Sequence, residues 1–346
     1  MNQGLALVET GGVSAPVGPE ASEAFASIVG DSPALRRCLA DARRIAERGA
    51  RTVLVIGETG TGKELFARGI HAGGPASDGP FVPVNCPALP ASLLEAELFG
   101  YERGAFTGAR ERKKGLLEVA GEGTLFLDEV SSLPLDLQPK LLRALEDRKI
   151  RRVGGLEEIA IRCRVVAATN ESLETAVATG RFRADLYYRL NVLPVTIPPL
   201  REREGDVTTL ARHFAREAAE RNGVAVRLLS PEALGVLEAH GWPGNVRELK
   251  NVVDRAVVMG SGPSIGSDDL HLGRRRARAE DRGVAEHPGI EIPPDGRTLA
   301  SIEAEAVARM LEITGWNKSA AARILEISRP TLTRKIRQYG IRPPNA

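Results

Sequence analysis

Two stretches of the sequence carry residues whose types and spacing suit the chemistry of phosphate groups. The first, TVLVIGETGTGKE at residues 52–64, joins a β-branched, apolar run to three glycines and Lys63. Glycines let backbone N–H groups turn toward an anion, a helix N-terminus adds partial positive charge, and a lysine reaches the outer phosphates. The stretch therefore predicts a buried strand, a phosphate-binding loop and a helix, in that order.

One residue of this loop departs from the generic form. Ser or Thr usually follows the lysine as a magnesium ligand, whereas this chain has Glu64. Considered alone, the stretch is about equally consistent with a glycine-rich turn between a strand and a helix. If it binds a nucleotide, the residues around the phosphates are Gly57, Glu58, Thr59, Gly60, Thr61, Gly62, Lys63 and Glu64.

The second stretch, GTLFLDE at residues 123–129, ends an apolar strand on two neighbouring carboxylates. In open α/β sheets, ligands bind at the carboxyl ends of the parallel strands. One of the two carboxylates, Asp128 and Glu129, can hold Mg²⁺ there while its neighbour orients or deprotonates a water molecule. A charged strand end is common in isolation, but the upstream phosphate loop makes nucleotide hydrolysis the favoured interpretation.

Other polar residues could face the same ligand, and each has a plainer interpretation. Asn85 ends the strand predicted in FVPVNCPAL, where it either caps the strand or faces the nucleotide. Thr169 and Asn170 end the strand predicted in CRVVAATN. Arg183 and Arg189 either form surface ion pairs of little energetic weight or, in a ring-forming ATPase, serve the active site of a neighbouring subunit.

A loop of small residues, GAFTGA at 104–109, contains a single aromatic side chain, Phe106, and is bracketed by charged residues. So pliable a loop offers a phenylalanine no obvious packing partner. By spacing alone, the favoured interpretation is a turn whose Phe106 folds back onto the core.

The elements that must position these residues change character along the chain. From Pro198 onward the apolar spacing becomes helical throughout, which predicts a small helical lid. Residues 245–248, NVRE, fit a capping box that places Arg247 in the first turn of a helix. Residues 261–297 predict a linker, whose arginine run at 274–278 is either a solvated spacer or a source of non-specific attraction to DNA.

The last part of the chain predicts three helices. Apolar residues at 299, 302, 306, 310 and 313 give the first a stripe suited to pairing with another helix. Two short helices follow, separated by a turn at 326–328, and the second is basic and rich in hydroxyl groups. This layout favours a DNA-binding helix-turn-helix over a merely basic surface helix. The predicted DNA contacts are Lys318, Ser328, Arg329, Thr331, Thr333, Arg334, Lys335 and Arg337.

Length and composition narrow the class of protein. The chain has 346 residues, enough for about two or three domains, with ordinary hydrophobic (42%) and charged (27%) contents. Because the net charge is only +2, any contact with nucleic acid requires a local basic patch. Three widely spaced cysteines, with no secretory signal or membrane-spanning run, predict a cytoplasmic protein without membrane association. Residues 1–25 are expected to form a flexible leader.

Together these motifs resemble one family, the sigma-54-dependent transcriptional activators (bacterial enhancer-binding proteins) of the AAA+ class. The resemblance covers residues 28–259 and 298–341. GETGTGKE is similar to the family's own phosphate loop, in which Glu replaces Ser or Thr. GAFTGA is the family's signature, and the resemblance reassigns it as the sigma-54 contact, made by Gly104, Ala105, Phe106, Thr107, Gly108 and Ala109.

The resemblance also implies a role for each candidate residue. Lys63 resembles the ligand of the β- and γ-phosphates, Asp128 the metal-linked carboxylate and Glu129 the residue that polarises the attacking water. Asn85 resembles the asparagine that pairs with this glutamate and reports the nucleotide state. The remaining assignments are Thr169 and Asn170 as sensor I, Arg183 and Arg189 as arginine fingers acting in trans, Arg247 as the sensor II arginine, and Ile28 and Val29 beside the bound ATP.

The implied architecture is an α/β AAA+ P-loop ATPase (a parallel sheet with flanking helices) at 26–197, a helical lid at 198–260 and an all-α, Fis-type helix-turn-helix domain at 298–346. ATP and Mg²⁺ are the implied cofactors. The implied partners are sigma-54 RNA polymerase, upstream double-stranded DNA and further copies of the chain, as a hexameric ring and as a dimer through the C-terminal domain. Hydrolysis is implied to drive the GAFTGA loop against sigma-54, so that the closed promoter complex opens.

The sequence departs from the family pattern at two points, and two alternative functions must be weighed. The family usually has Gly where Glu326 stands, and left-handed backbone there costs a non-glycine residue about 1–2 kcal/mol. The residues before position 28 predict no receiver or ligand-sensing domain, so the expected modes of control are a regulatory protein in trans, expression level, or no control. The GAFTGA loop and the C-terminal unit disfavour an AAA+ protein remodeller. Intact Lys63, Asp128 and Glu129 disfavour a repressor with an idle ATPase.

Overall fold

The computed structural model describes residues 24–260, 262–272 and 299–341. The chain divides into two compact units, residues 1–273 and residues 274–346. Almost all of the predicted leader and most of the predicted linker, including its arginine run, lie outside the described residues.

A five-stranded sheet forms the centre of the first unit. Its strands are β1 (Thr52–Ile56), β2 (Phe81–Asn85), β5 (Thr124–Asp128), β8 (Arg164–Thr169) and β9 (Pro194–Thr196). They lie in the order β2-β5-β8-β1-β9 and every neighbouring pair is parallel. Since all carboxyl ends share one edge, the residues that follow the strands meet there, as the motif positions predict.

Helices cover both faces of this sheet. They are α1 (Pro33–Glu47), α2 (Lys63–Ala72), α3 (Ala91–Phe99), α4 (Leu116–Val119), α5 (Gln138–Asp147), α6 (Leu173–Ala178) and α7 (Ala184–Leu190). Leu125 and Leu127 of β5 pack in the core on one face, and Phe126 packs in the core on the other. Both faces of the strand are therefore apolar, which explains why its sequence is a continuous hydrophobic run.

Two antiparallel pairs of short strands extend from this body. One pairs β3 (Gly100–Tyr101) with β4 (Lys113–Lys114), and the GAFTGA loop lies between them. The other pairs β6 (Lys149–Ile150) with β7 (Ile159–Ala160). Tyr101 also forms a bridge with Val153, so the two hairpins touch.

The lid follows as α8 (Asp206–Asn222), α9 (Pro231–Ala239) and α10 (Asn245–Met259) around the fully buried Trp242. The expectation of an all-helical lid ending at residue 260 is wrong in two details. A short parallel pair joins β10 (Leu228–Leu229) to β11 (Ser264–Ile265). Ile265 and Leu270 are buried in the lid core, because the chain returns across the lid before it leaves it.

The predicted capping box at the start of α10 is also shifted by one residue. Gly244 is the N-cap, and its N–H donates to Glu248 Oε2 (2.8 Å). Asn245 instead has left-handed backbone (φ 51°) and a fully buried side chain that bonds elsewhere. Arg247 lies in the first turn, as predicted.

The second unit consists of α11 (Leu299–Ile313), α12 (Lys318–Ile324) and α13 (Arg329–Gln338). Asn317 caps α12 and Ser328 caps α13, which confirms the predicted helix-turn-helix layout. Glu326 has φ 54°, so the position where the family usually has Gly does adopt left-handed backbone.

The apolar stripe predicted on α11 overlaps only in part with the helix face that packs in the core of this unit. Val307 and Leu311 of α11 are buried in its core. Of the predicted stripe, Met310 packs against this core, whereas Ile313 is 57% exposed. The side chains at 299 and 302 lie outside the description.

Among the described residues, no helix is long and apolar enough to cross a membrane. The three cysteines, at positions 38, 86 and 163, are free and buried.

Candidate functional site

A cavity of about 520 Å³ lies between the carboxyl edge of the sheet and the lid. Its volume is in the range of pockets that hold small ligands. The structure brings most of the predicted nucleotide residues together in its wall, namely Ile28, Val29, Thr59, Gly60, Thr61, Gly62, Lys63, Glu64, Asp128, Glu129 and Arg247. Residues that the sequence did not indicate also line it, namely Arg68, Arg203, His213, Phe214, Glu217 and Lys250.

The loop between β1 and α2 has the geometry of an anion cradle. Gly60 and Gly62 have φ of 81° and 96°, which residues with a Cβ rarely adopt. Within the described chain, no side chain caps α2 at Gly62. Of the first-turn N–H groups, that of Leu65 donates to Gly62 O (2.9 Å), which leaves those of Lys63 and Glu64 for a ligand. The positive end of the helix dipole adds to their attraction for phosphate.

Lys63 is buried at the base of this cradle. Its Nζ donates to Gly57 O (2.9 Å) and Glu58 O (3.2 Å). Burial lowers the pKa of Lys63, while the carboxylates of Asp128 and Glu129 act in the opposite direction. The Lys63 ammonium therefore lies within electrostatic range of the two strand-end carboxylates, as a site for phosphates and a metal ion requires.

Glu129 adopts left-handed backbone with φ 53°, and its N–H donates to Asp128 Oδ1 (3.0 Å). Such backbone costs a non-glycine residue about 1–3 kcal/mol and is often found at functional sites. The sheet register pairs Asn85 with Asp128, so Asn85 ends the neighbouring strand at the same edge. Asn85 is exposed there and does not line the cavity.

The carboxylates near the cavity suit Mg²⁺, which needs only one or two protein carboxylates, better than a metal ion that protein side chains must coordinate completely. Glu64 Oε1 pairs with Arg68 Nη2 (2.7 Å) one turn along α2, at the surface. Nowhere in the described ranges do three His, Cys, Asp or Glu residues group around a metal position. Mg²⁺ typically takes one or two carboxylates together with substrate phosphates and water, and Asp128 fits that role.

The tip of the phosphate loop is bonded to the lid. Asn245 Nδ2 donates to Glu58 Oε2 (3.0 Å) and to Thr59 O (3.1 Å). The backbone N–H of Arg247 donates to Gly60 O (3.3 Å). The Glu58 side chain, expected beside the nucleotide, instead binds Arg201 and Asn245 and does not line the cavity.

A second connection ties the lid to the segment that carries Ile28 and Val29. Asp206, at the start of α8, accepts from Ser32 Oγ (2.9 Å) and from the N–H groups of Asp31 (2.7 Å) and Ser32 (3.0 Å). Arg203 Nε donates to Asp206 Oδ2 (2.8 Å), and its Nη2 donates to Val29 O (2.9 Å). Both side chains of this ion pair are almost fully buried.

The two sensor I candidates lie differently. Thr169 is buried and its Oγ1 donates to Glu171 O (2.8 Å), so its hydroxyl is used within its own turn. Asn170 is exposed, and its Nδ2 donates to Thr59 Oγ1 (3.1 Å) of the phosphate loop.

The predicted arginine fingers lie away from the cavity of their own chain. Arg183 is exposed, and its Nη2 pairs with Asp185 Oδ2 (2.7 Å), which raises the pKa of Arg183. Arg189 Nη2 donates to Leu145 O (2.9 Å) near the C-terminus of α5. Neither residue lines the cavity.

The GAFTGA loop projects from the β3–β4 pair. Phe106 is 43% exposed, and its ring centroid lies 4.9 Å from that of Tyr101. Thr107 is exposed and Ala109 is buried. Phe106 therefore rests against one neighbouring ring and does not enter the core, so the interpretation favoured by spacing alone is wrong.

The base of this loop is anchored by a buried arginine. Arg152 Nη2 pairs with Glu118 Oε2 (2.6 Å) and its Nη1 pairs with Glu102 Oε1 (2.7 Å), which raises the pKa of Arg152. A Cβ added to Gly154 would lie 2.9 Å from Ala105 Cβ, so the two hairpins are in close contact. The loop thus has mostly small residues at its tip, and the ion pairs of the buried Arg152 hold its root.

The helix-turn-helix presents a basic face formed by Arg329, Thr333, Arg334 and Arg337. Lys335, predicted to contact DNA, instead pairs with Glu303 of α11, which also accepts from the Tyr339 hydroxyl. The Ser328 hydroxyl bonds Thr331 N and Thr331 Oγ1, so these two predicted contacts form the cap of α13. Lys318 is exposed at the start of α12.

Comparison with known proteins identifies the family. The Sigma-54 interaction domain matches residues 28–196, the AAA+ ATPase lid domain residues 201–286, and the Bacterial regulatory protein, Fis family, residues 298–339. Regulatory protein AtoC of Escherichia coli (strain K12) is 44% identical over 321 residues, which cover 91% of this chain and 68% of AtoC. The chain belongs to the sigma-54-dependent transcriptional activators.

Other relatives of this activator agree. Transcriptional regulatory protein ZraR of Klebsiella oxytoca is 46% identical over 331 residues, covering 96% of this chain and 73% of ZraR. The crystal structure of NtrX from Brucella abortus in complex with ATP has a TM-score of 0.66 and 35% identity, covering 91% of this chain and 69% of NtrX. The family and the α/β AAA+ fold predicted from the sequence are confirmed. The Fis-type unit and the interaction domain imply DNA and sigma-54 as partners.

Sequence reasoning missed several residues that organise this activator. They are Arg201, Arg203, Asp206 and Gln138, together with the lid contacts of Asn245. Gln138 could have been found, because a polar residue there shares the helical face of Leu141 and Leu145. Arg203 and Asp206 are only three residues apart, but an i, i+3 pair of opposite charges is common on helices and gives no signal of burial. The partners of Arg201 and Asn245 lie 143 and 187 residues away in sequence.

Proposed function

We propose that this activator hydrolyses ATP between its subunits and uses the energy to remodel the sigma-54 RNA polymerase closed complex into an open complex. The observation that carries the proposal is an exposed GAFTGA loop, with Phe106 and Thr107 at its tip, on the same unit as the nucleotide cavity. The buried Arg152 anchor at its root suits a loop that must transmit force.

In this proposal the cavity holds ATP; the related NtrX from Brucella abortus has a crystal structure in complex with ATP, which supports ATP as the ligand. The loop amides and Lys63 bind the phosphates, and Ile28 and Val29 border the rest of the nucleotide. Mg²⁺, held by Asp128 and the phosphates, supplies charge neutralisation when bound. Glu129 polarises the attacking water, Asn85 reports its state, and Asn170 and Arg247 sense the phosphates from the sheet and the lid.

The subunits are proposed to form a hexameric ring in which Arg183 and Arg189 complete the neighbour's site. Arg183 is exposed and is not among the residues that line the cavity of its own chain, which supports this arrangement. The Fis-type units are proposed to dimerise through α11 and to hold the ring at enhancer-like DNA, with Arg334 and Arg337 facing the groove. The exposed Ile313 supports a further helix contact there.

Mixing two inactive variants tests the shared site. Glu129→Gln should keep ATP binding and lose turnover, and Arg183→Ala should lose turnover by a factor of about 10³–10⁵. In mixed rings, the intact cavity of Arg183→Ala subunits meets the intact arginine of Glu129→Gln subunits. ATPase activity should therefore reappear on mixing. If it does not, or if activity per subunit stays constant on dilution to monomer, the shared site is refuted.

A further inference from the structure

Gln138, the first residue of α5, is 0% exposed and makes three side-chain hydrogen bonds. Its Nε2 donates to Leu133 O (2.8 Å) and Arg181 O (3.1 Å). Its Oε1 accepts from the Arg183 N–H (2.8 Å). Both amide donors are therefore used, and a flipped amide would set a donor against the Arg183 N–H, so the network fixes the orientation.

These bonds join two functional segments of one subunit. Leu133 ends the turn that follows Glu129, whereas Arg181 and Arg183 belong to the segment just before α7. Phe182, between the two arginines, is buried in the core, and Gln138 bonds the backbone on both sides of it. The buried Gln138 amide thus fixes the position of the backbone that carries the Arg183 side chain.

The guanidinium of Arg183 has much weaker support. Its partner within the chain is Asp185, and both side chains of this pair are nearly half exposed (47% and 42%). Exposed pairs of this kind contribute about 0–1 kcal/mol, whereas loss of a buried hydrogen-bond partner has a larger effect. The direction in which Arg183 points is therefore controlled mainly through its backbone.

We propose that Gln138 is a positioning residue for Arg183. Gln138 holds the backbone of the arginine that one subunit would insert into its neighbour's site. Through Leu133, it also links that backbone to the segment that follows Glu129 of the same subunit. The inference rests on the proposed function, in which Arg183 acts across the subunit boundary. A rival view is that Gln138 only supports the cavity of its own subunit, through Leu133.

Mixing experiments with the full-length protein separate these two views. Gln138→Met keeps the side-chain length and removes all three bonds. We expect its ATPase rate to fall about 10²-fold, since misplacement by about 1 Å has that effect, with little change in ATP affinity. Mixed with Glu129→Gln, it should regain activity, because its cavity is intact and the partner supplies the arginine. Mixed with Arg183→Ala, it should not, because both proteins then lack a well-placed arginine.

Any other pattern overturns the inference: unchanged activity of Gln138→Met alone, recovery with Arg183→Ala, or no recovery with Glu129→Gln. The mixture of Arg183→Ala with Glu129→Gln is the reference, and its failure would count against the proposed function instead. The exposed Gln338, changed to Met, controls for the substitution itself.

A second variant covers the case in which Gln138→Met does not fold. Gln138→Glu keeps the acceptor for the Arg183 N–H and, when its carboxyl is protonated, one donor. Burial favours the neutral form of a carboxyl group. ATPase activity of Gln138→Glu relative to the parent should therefore rise as the pH is lowered. A constant ratio across the pH range would overturn the inference.

Discussion

Arg201 and Glu58 form a two-point ion pair that joins the lid to the phosphate loop. Arg201 Nη1 lies 2.8 Å from Glu58 Oε2, and Nη2 lies 2.6 Å from Oε1. Asn245 donates to the same carboxylate and to Thr59 O. Because these bonds hold the phosphate loop, a movement of the lid would also move the loop residues that are proposed to surround the phosphates.

The first prediction concerns the acid stability of this pair. Hydrogen bonds from Arg201 and Asn245 lower the pKa of Glu58 from 4.5 to about 2. A carboxylate with a lowered pKa stabilises the fold above its ordinary pKa, and this stabilisation is lost as the pH falls toward the lowered value. The pair is nearly half exposed, so its contribution is about 1 kcal/mol or less.

Urea unfolding of the parent and Glu58→Gln at several pH values measures this contribution. The difference in unfolding free energy should be the same at neutral and mildly acidic pH and should shrink as the pH falls from 4.5 toward 2. A difference that grows on acidification would show that another group is responsible.

The second prediction concerns the buried ion pair at the start of α8. Asp206→Asn leaves Arg203 as an uncompensated buried charge, which typically costs about 3–5 kcal/mol. The matched control is Asp254→Asn, which breaks a more exposed pair with Arg221 and should cost less than about 1 kcal/mol. Chemical denaturation of both variants checks this. Equal decreases in unfolding free energy would show that the buried Arg203–Asp206 pair stabilises the fold no more than an exposed pair does.

The third prediction separates neighbouring basic residues on α13. Arg334 lies on the open basic face, whereas Lys335 pairs with Glu303. If Arg334 contacts a phosphate, Arg334→Ala should lower the slope of log affinity against log salt by about one; if it reads a base, the loss should be about 1–3 kcal/mol with relaxed specificity. Lys335→Ala should change neither the salt dependence of DNA binding nor its affinity and sequence specificity. DNA titration at several salt concentrations decides, and a full effect of Lys335→Ala would contradict the assignment.

The fold was predictable because its signals are local. The apolar runs that became β1, β5 and β8, and the glycines before Lys63, are each read within a few residues. The carboxyl-edge rule then placed Asp128 beside the phosphate loop without knowledge of the packing.

The sequence was least informative where a side chain had two possible partners. Asn245 fits a cap by sequence, but it binds Glu58, 187 residues away. Lys335 is predicted to contact DNA, and its ion pair with Glu303 of α11 could not be read from the sequence pattern. Residues 264–272 resemble a linker in composition, yet Ile265 and Leu270 complete the lid core. Each choice is made by tertiary contacts that no local pattern records.

We propose that Phe106, at the tip of the GAFTGA loop, transmits the nucleotide state to sigma-54. Phe106→Ala should leave folding, ATP binding and ring assembly intact, because the side chain is exposed and contacts Tyr101 without entering the core. Loss of a contact at the heart of an interface typically costs about 2 kcal/mol or more, which is roughly a 30-fold loss of productive complex. Leu228→Ala, which truncates an exposed apolar residue on the lid, is the control.

The deciding measurement is the ATPase rate and the yield of open promoter complexes, determined on the same preparation of Phe106→Ala with sigma-54 RNA polymerase. The account predicts hydrolysis close to that of the parent and almost no open complexes, with both unaffected in Leu228→Ala. If Phe106→Ala opens promoters as well as the parent does, the loop is an ordinary turn and the proposed mechanism is wrong.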